Sequence, residues 1–218
     1  MSTLPLDPSY ARSLLASQEN GCTLEVLSII SLMSASSKLF VDSSESREAA
    51  HSARQKFVHT SGDHLTYFNV LRAYNAIAGQ ESAAARREWC RTHFVNERTM
   101  REAGEIMEQL KGVCSRIGVN WQASCGDEVE PVLKSLVRGL FQNVALLHPD
   151  GQYKQVQGRT ASQSFCDVSE PRSLMKPQVV KIHPGSSMIN RRAPCIFYEE
   201  LVCLPGFSSK FVFANVII

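Results

Sequence analysis

Arg191 and Arg192 stand side by side in the run HPGSSMINRRAPCIFYEELVC, which extends from His183 to Cys203. Two adjacent guanidiniums near Ser186, Ser187 and Asn190 offer forked N–H donors, hydroxyls and an amide to phosphate and sugar oxygens. The surroundings strengthen that chemistry. Arg172, Lys176, Lys181, Arg191 and Arg192 are all positive, and no Asp or Glu occurs from Pro171 to Tyr198, although the 218-residue chain has a net charge of only +2. A field that attracts polyanions is therefore gathered at one end of the sequence. Phe197 and Tyr198 follow in a segment of strand composition and are candidates to stack on bases. Alternation along a strand sends them to opposite faces, so at most one of them stacks and the other joins a core.

Other chemistry is poorly supported by the residue types and their spacing. His51, His59, His64, His93, His148 and His183 are scattered, with no i, i+4 pair and intervening Glu of the kind a helical metal site uses. The seven cysteines have irregular gaps and no C-x-x-C pair, so neither a zinc site nor a disulfide framework is expected; as free thiols they behave as small apolar side chains. His64, after Asp63, and His183, before Pro184, read as turn residues whose ring nitrogens bond the backbone. No serine sits in G-x-S-x-G, and no Gly is followed by Lys, so a nucleophile elbow and a P-loop are both missing from these residues. The sequence thus offers no catalytic, metal or cofactor-binding residue. No apolar run approaches the roughly 18 residues of a membrane-spanning helix, and Met1–Tyr10 lacks the basic start and apolar middle of a signal peptide, so an intracellular protein without membrane contact is expected.

The elements that must position the basic run are of two kinds. Up to about residue 141 the pattern is helical. Pro8 suits a first helical turn behind Asp7, with Tyr10, Leu14 and Leu15 on one face. Thr23 is placed to cap Leu24–Met33, which is apolar nearly all round, and Arg47–Val58 reads as a solvated helix. Ser61-Gly62-Asp63 breaks the chain and caps Leu65–Ile77, which Gly79 ends. Asn96 caps the most regular segment, Met100 to Ile117, and Gly118 stops it. The pattern lapses from Asn120 to Gly126, and a further helix then carries Val132, Leu133, Leu136, Val137, Leu140 and Phe141 inward. Beyond it the period becomes that of strands: Val144–Leu147, a turn at His148–Gly151, Tyr153–Val156, Val179–Ile182, Cys195–Val202 and Lys210–Ile218. Gly158–Pro177 has no periodicity and reads as a long connection. Helices followed by strands define an α+β chain with segregated halves.

Four stretches, in order, resemble the C-terminal region of DEAH-box ATP-dependent RNA helicases. Leu4-Pro5-Leu6-Asp7-Pro8 through Leu32-Met33-Ser34 is similar to the end of the winged helix and the entry to the helical bundle. Gly62-Asp63-His64-Leu65-Thr66 with Asn69-Val70 resembles the bundle motif G-D-H-x-T-x-x-N-V. Trp89-Cys90 through Gln109-Leu110 resembles the W-C to Q-L block, and Leu140–Ala145 with His183–Leu201 resembles the opening and middle of an OB-fold. The chain departs from the pattern at Gly185, where the first Ser of HPSS is usual, at Met107 in place of an Arg, and in the tail Leu204–Ile218.

The resemblance implies an all-helical bundle followed by a small OB-like β-barrel, divided as 1–41 (truncated winged-helix end and bundle entry), 42–126 (helical bundle) and 127–218 (barrel with an atypical last strand). It implies single-stranded RNA, the helicase core domains and helicase cofactor proteins as partners, and a nuclear or nucleolar setting. ATP and magnesium would belong to the helicase core. The residues expected to contact RNA are Lys181, His183, Ser186, Ser187, Asn190, Arg191, Arg192 and Tyr198. The alternative is a non-catalytic, regulatory short form of such a helicase that acts through protein contacts.

Overall fold

A computed structural model describes residues 6–41, 46–78, 82–156, 178–203, 210–212 and 214–216. Residues 43–45 of the loop that the serine-rich run Ser43 to Ser46 marks in the sequence, the helix stop at Gly79, the connection at 158–177 with Arg172 and Lys176, and most of the tail at 204–218 lie outside the described residues. Among the described residues seven helices precede seven short strands: α1 (Pro8–Glu19), α2 (Thr23–Met33), α3 (Arg47–Gln55), α4 (Asp63–Ala78), α5 (Ala83–His93), α6 (Glu97–Ile117) and α7 (Glu130–Gly139), then β1 (Val144–Leu147), β2 (Tyr153–Gln155), β3 (Val179–Ile182), β4 (Cys195–Tyr198), β5 (Val202–Cys203), β6 (Lys210–Val212) and β7 (Ala214–Val216). The chain is α+β.

α2 is the axis of the helical half. Thr23 and every residue from Glu25 to Leu32 are buried, because α1, α4, α6 and α7 all pack around it. Each fully buried aliphatic side chain there contributes about 1.5–3 kcal/mol of burial free energy, largely offset by chain entropy. Thr23 does not cap this helix: it is the first helical residue, Cys22 occupies the cap position, and no side chain bonds the helix end. Asp63, expected to cap the helix after it, is the first residue of α4, whereas the ends of α1 and α6 follow the sequence. Asp7 Oδ1 accepts from the Ser9 N–H (2.8 Å) ahead of Pro8, Asn96 Oδ1 accepts from the Arg98 N–H (3.0 Å), and Gly118 ends α6 with φ 75°. α3 stops at Gln55 rather than at Val58.

α1 and α7 approach closely enough that a Cβ on Gly139 would lie 2.0 Å from Ser13 Oγ, so glycine is required there. Ser13 Oγ also donates to the Leu136 carbonyl across the same contact (3.3 Å). Tyr10 and Leu14 of α1 join Val132, Leu133, Leu136 and Leu140 in the main helical core, together with Val26, Leu27, Ile29 and Ile30. Leu15 and Phe141, both expected inside, are exposed instead, and the Arg12 guanidinium covers the Phe141 ring at 4.7 Å. A second helical cluster gathers Phe57, Val70, Leu71, Cys90, Val95, Met100 and Ala103.

The sheet has the order β5-β6-β3-β2-β1-β4-β7. β1 pairs antiparallel with β2 and β4, β2 with β3, β4 with β7 and β5 with β6, while β3 and β6 run parallel. Two strands expected to be continuous are interrupted: Cys195–Val202 becomes β4 and β5, and Lys210–Ile218 becomes β6 and β7. Only one residue separates β6 from β7, yet β6 lies beside β3 and β7 beside β4, at opposite sides of the order. One stretch of chain therefore ties the two sides of the sheet together. Inside it, Ala145, Tyr153, Val180, Ile182, Met188, Ile196, Tyr198 and Val212 form a separate core.

Candidate nucleic-acid interface

β4 is where the two halves meet. Phe197 points out of the sheet into the helical core, its ring stacked on His64 (centroids 5.8 Å apart, planes at 25°), while Tyr198 points into the β core. Alternation does separate the two rings, but both faces are covered and each residue has 0% of its surface exposed. Tyr198 thus presents no ring face to a base, which corrects its place among the expected contact residues. His64, in the first turn of α4, is buried where it meets Phe197.

The basic loop between β3 and β4 is held at each bend. The His183 N–H donates to the Val212 carbonyl (2.8 Å), and His183 Nδ1 accepts from the Gly185 N–H (2.9 Å), as a turn histidine should. A Cβ on Gly185 would sit 3.2 Å from that ring nitrogen, a close approach that favours the glycine standing here. Ser186 is buried, and its hydroxyl donates to Asp63 Oδ2 (2.5 Å); the Ser187 N–H donates to Asp63 Oδ1 (2.7 Å). Ser186 Oγ accepts in turn from the Met188 N–H (3.1 Å), and Met188 is buried in the β core. The Arg191 N–H closes on the Met188 carbonyl (2.9 Å), and the Ala193 carbonyl accepts from Tyr153 OH (2.8 Å).

This anchoring sorts the expected residues. Lys181, Asn190, Arg191 and Arg192 are exposed on one loop and its flanking strand, His183 and Ser187 are half-buried beside them, and Ser186 is a structural tie rather than a surface group. Among the described residues neither Arg191 nor Arg192 forms an ion pair with a carboxylate. Burial, and behind it the Arg191 charge, hold the His59 ring below its usual pKa. His59 Nδ1 accepts from the Ser61 N–H (3.1 Å), which leaves Nε2 to carry the proton of the neutral ring.

A groove of about 1310 Å³ between α2, α4, α5 and α6 has a different character. Of the cations that line it, Arg72 pairs with Asp127 (2.7 Å), Arg87 with Glu97 (3.2 Å) and Lys111 with Glu108 (2.7 Å), while Arg86 and Arg101 line it without an ion pair among the described residues. The β3–β4 loop differs in that its own sequence carries no Asp or Glu. Sequence reasoning missed Asp63 as the anchor of that loop and His59 as its neighbour. The available signal was that the Gly62-Asp63-His64 and His183–Ser187 stretches both carry the resemblance.

Comparison with known proteins agrees with this architecture. Residues 7–67 match the helicase associated domain (HA2), ratchet-like, a span that takes in α1, α2, α3 and the Gly62-Asp63-His64 turn. The human ATP-dependent RNA helicase DHX33 is 33% identical over 202 residues, covering 93% of this chain and 25% of that protein. DHX33 of Drosophila melanogaster is 32% identical over 203 residues, and the Arabidopsis thaliana pre-mRNA-splicing factor ATP-dependent RNA helicase DEAH10 is 29% identical over 210, each again covering 93% of this chain. The chain is homologous, over most of its length, to a C-terminal segment of the DEAH-box RNA helicases. It spans about a quarter of the length of the curated relatives it matches.

Proposed function

We propose that this chain is the RNA-binding accessory segment of a DEAH-box ATP-dependent RNA helicase, in which a ratchet-like helical platform carries an OB-like barrel. The barrel reading is supported by the pairing of β1 with β2 and β4, the parallel β3–β6 pair, and the return of β7 to β4. The observation that carries the function is the anchored loop that exposes Arg191 and Arg192 with no carboxylate partner among the described residues. Arginine forks suit the phosphates of a single strand, and Lys181 and Asn190 extend the contact along the loop. ATP hydrolysis and its magnesium belong to helicase core domains, which are the expected partners together with single-stranded RNA and helicase cofactor proteins, inside the cell and in the nucleus or nucleolus.

Fluorescence anisotropy with an unstructured RNA oligonucleotide tests this. Arg191→Glu/Arg192→Glu should weaken binding by about tenfold or more and make the salt dependence shallower, by up to about 0.7 in slope for each phosphate no longer neutralised. Affinity and slope both unchanged by the double reversal would refute the reading.

A second reading, a protein-docking and regulatory role, draws on an exposed aliphatic row on the outer face of the sheet. Leu146, Val156 and Val179 flank Lys154 there, with Leu146 and Val179 its cross-strand partners. Binding of purified helicase core domains that survives the arginine reversal but is abolished in Leu146→Asp/Val179→Asp would favour it.

A further inference from the structure

A buried side chain ties the basic loop to the helical half. Asp63 is the first residue of α4 and is only 4% exposed, yet its carboxylate reaches the loop 123 residues away and accepts from both Ser186 Oγ and the Ser187 N–H. On the helical side the turn is stiff. The Gly62 N–H donates to the His59 carbonyl (3.3 Å), Thr66 Oγ1 donates to the Gly62 carbonyl (3.0 Å), and Thr66 Oγ1 accepts from the His59 N–H (3.0 Å). On the loop side, the backbone N–H groups of Ser186, Ile189 and Arg191 all bond within the loop, to His183, Ser186 and Met188. The external fixings nearest Ser187 are the Asp63 carboxylate and the buried Met188 side chain, and they set the direction in which the loop continues. Arg191 and Arg192 lie four and five residues beyond the first of these.

We infer that Asp63 is a positioning residue for RNA binding: it fixes the β3–β4 loop to the N-terminus of α4, so that Arg191 and Arg192 stand in a set place relative to the helical platform. The inference deepens the proposed RNA contact and rests on it. Two carboxylate oxygens meeting one hydroxyl and one N–H define both the distance and the rotation of the loop, which a single bond would not do. RNA held on the loop is then coupled to α4 rather than to a freely swinging hairpin.

The experiment uses the full 218-residue chain and a 5′-fluorescein-labelled oligouridylate, titrated across a range of salt concentrations, with circular dichroism and thermal melting run on each variant. Asp63→Ala removes both acceptors and should weaken RNA binding about five- to tenfold with a shallower salt slope, while the folded spectrum is retained. Asp63→Asn keeps one oxygen and can turn its amide N–H toward Ser186 Oγ, so it should recover most of the affinity. Combined with Arg191→Glu/Arg192→Glu, Asp63→Ala should cost nothing further, because the guanidiniums it positions are already gone. A folded Asp63→Ala variant with wild-type affinity and slope would overturn the inference, as would losses that simply add to those of the arginine reversal. Should Asp63→Ala unfold, Ser186→Ala deletes the hydroxyl bond alone and is judged by the same criteria. An arginine reversal without effect refutes the RNA reading itself, whereas an effective reversal beside a silent Asp63→Ala refutes only the positioning role.

Discussion

The two ends of β4 bury carboxylates in opposite ways. Ahead of the strand, Asp63 meets donors from Ser186 and Ser187 and becomes a joint between the halves. Just after the strand, Glu199 is half-buried, and among the described residues no donor reaches its carboxylate. Burial pushes its pKa up to about 8, and the negative charges of Glu200 and Asp7 add to the effect. The same physical cost, removal of a carboxylate from water, is met by hydrogen bonds at one end and by a proton at the other. The positive loop and the acidic corner are thus different kinds of junction, one fixed and one responsive to pH.

The largest test of this comparison removes what holds both ends against the helices. Phe197 is fully buried in the helical core and stacks on His64, the residue next to Asp63, so it is the wedge between the two junctions. Phe197→Ala should cost about 3–5 kcal/mol, read as a lowered midpoint in urea unfolding. A loss below about 1 kcal/mol would mean that β4 is not the seam of the molecule.

Glu199→Gln sharpens the acidic side. A folded-state pKa raised from 4.5 to about 8 means the native state holds a proton that the unfolded chain gives up. The wild-type protein therefore loses stability as pH rises from about 4.5 through about 8, and the full contribution of Glu199 is present only below that window. Glutamine keeps the neutral, hydrogen-bonding form throughout. The variant should match the wild type near pH 4.5 and exceed it above about pH 8, by on the order of 1–3 kcal/mol after allowance for partial solvent access. Parallel stability curves across that range would remove Glu199 from the comparison.

Much of the fold was legible because it is written locally. In α6 the cap at Asn96, the stop at Gly118 and the inward Met100, Ala103, Leu110, Val113 and Cys114 all lie within one segment, where a 3.6-residue period suffices. The strand positions around the basic loop were legible for the same reason. What failed was non-local. Phe197 and Tyr198 had to face opposite ways, but nothing in a period of two says that a helical layer covers the first and a curled sheet the second. Asp63 reads as the start of a helix, which it is; its other role depends on a loop 123 residues later. Likewise α7 adjoins the strands in sequence, yet its packing face goes to α1 through Gly139. Leu15 and Phe141 fit an inward stripe by spacing, but the close α1–α7 approach leaves them at the rim. Lys181, Asn190, Arg191 and Arg192 are exposed, as their polar residue types suggest.

The smallest expected effect probes the fixed junction without disturbing it. His59 lies on the turn before α4 and is held below its ordinary pKa by burial first and by the Arg191 guanidinium second, while its Nδ1 is engaged by the Ser61 N–H. Protonation would have to break that bond and place a cation beside another. Because the folded pKa is depressed, the stabilisation His59 provides is present above about pH 6.5 and is lost as pH falls through the folded value. Arg191→Glu removes the repulsion and supplies an attraction, so the His59 ring should titrate at higher pH, as followed by long-range ¹H–¹⁵N correlation of the imidazole. Burial is unchanged by the substitution and sets a limit on the shift. An unmoved His59 would show that Arg191 does not reach the turn ahead of α4, and that the loop, although tied through Asp63, is aimed elsewhere.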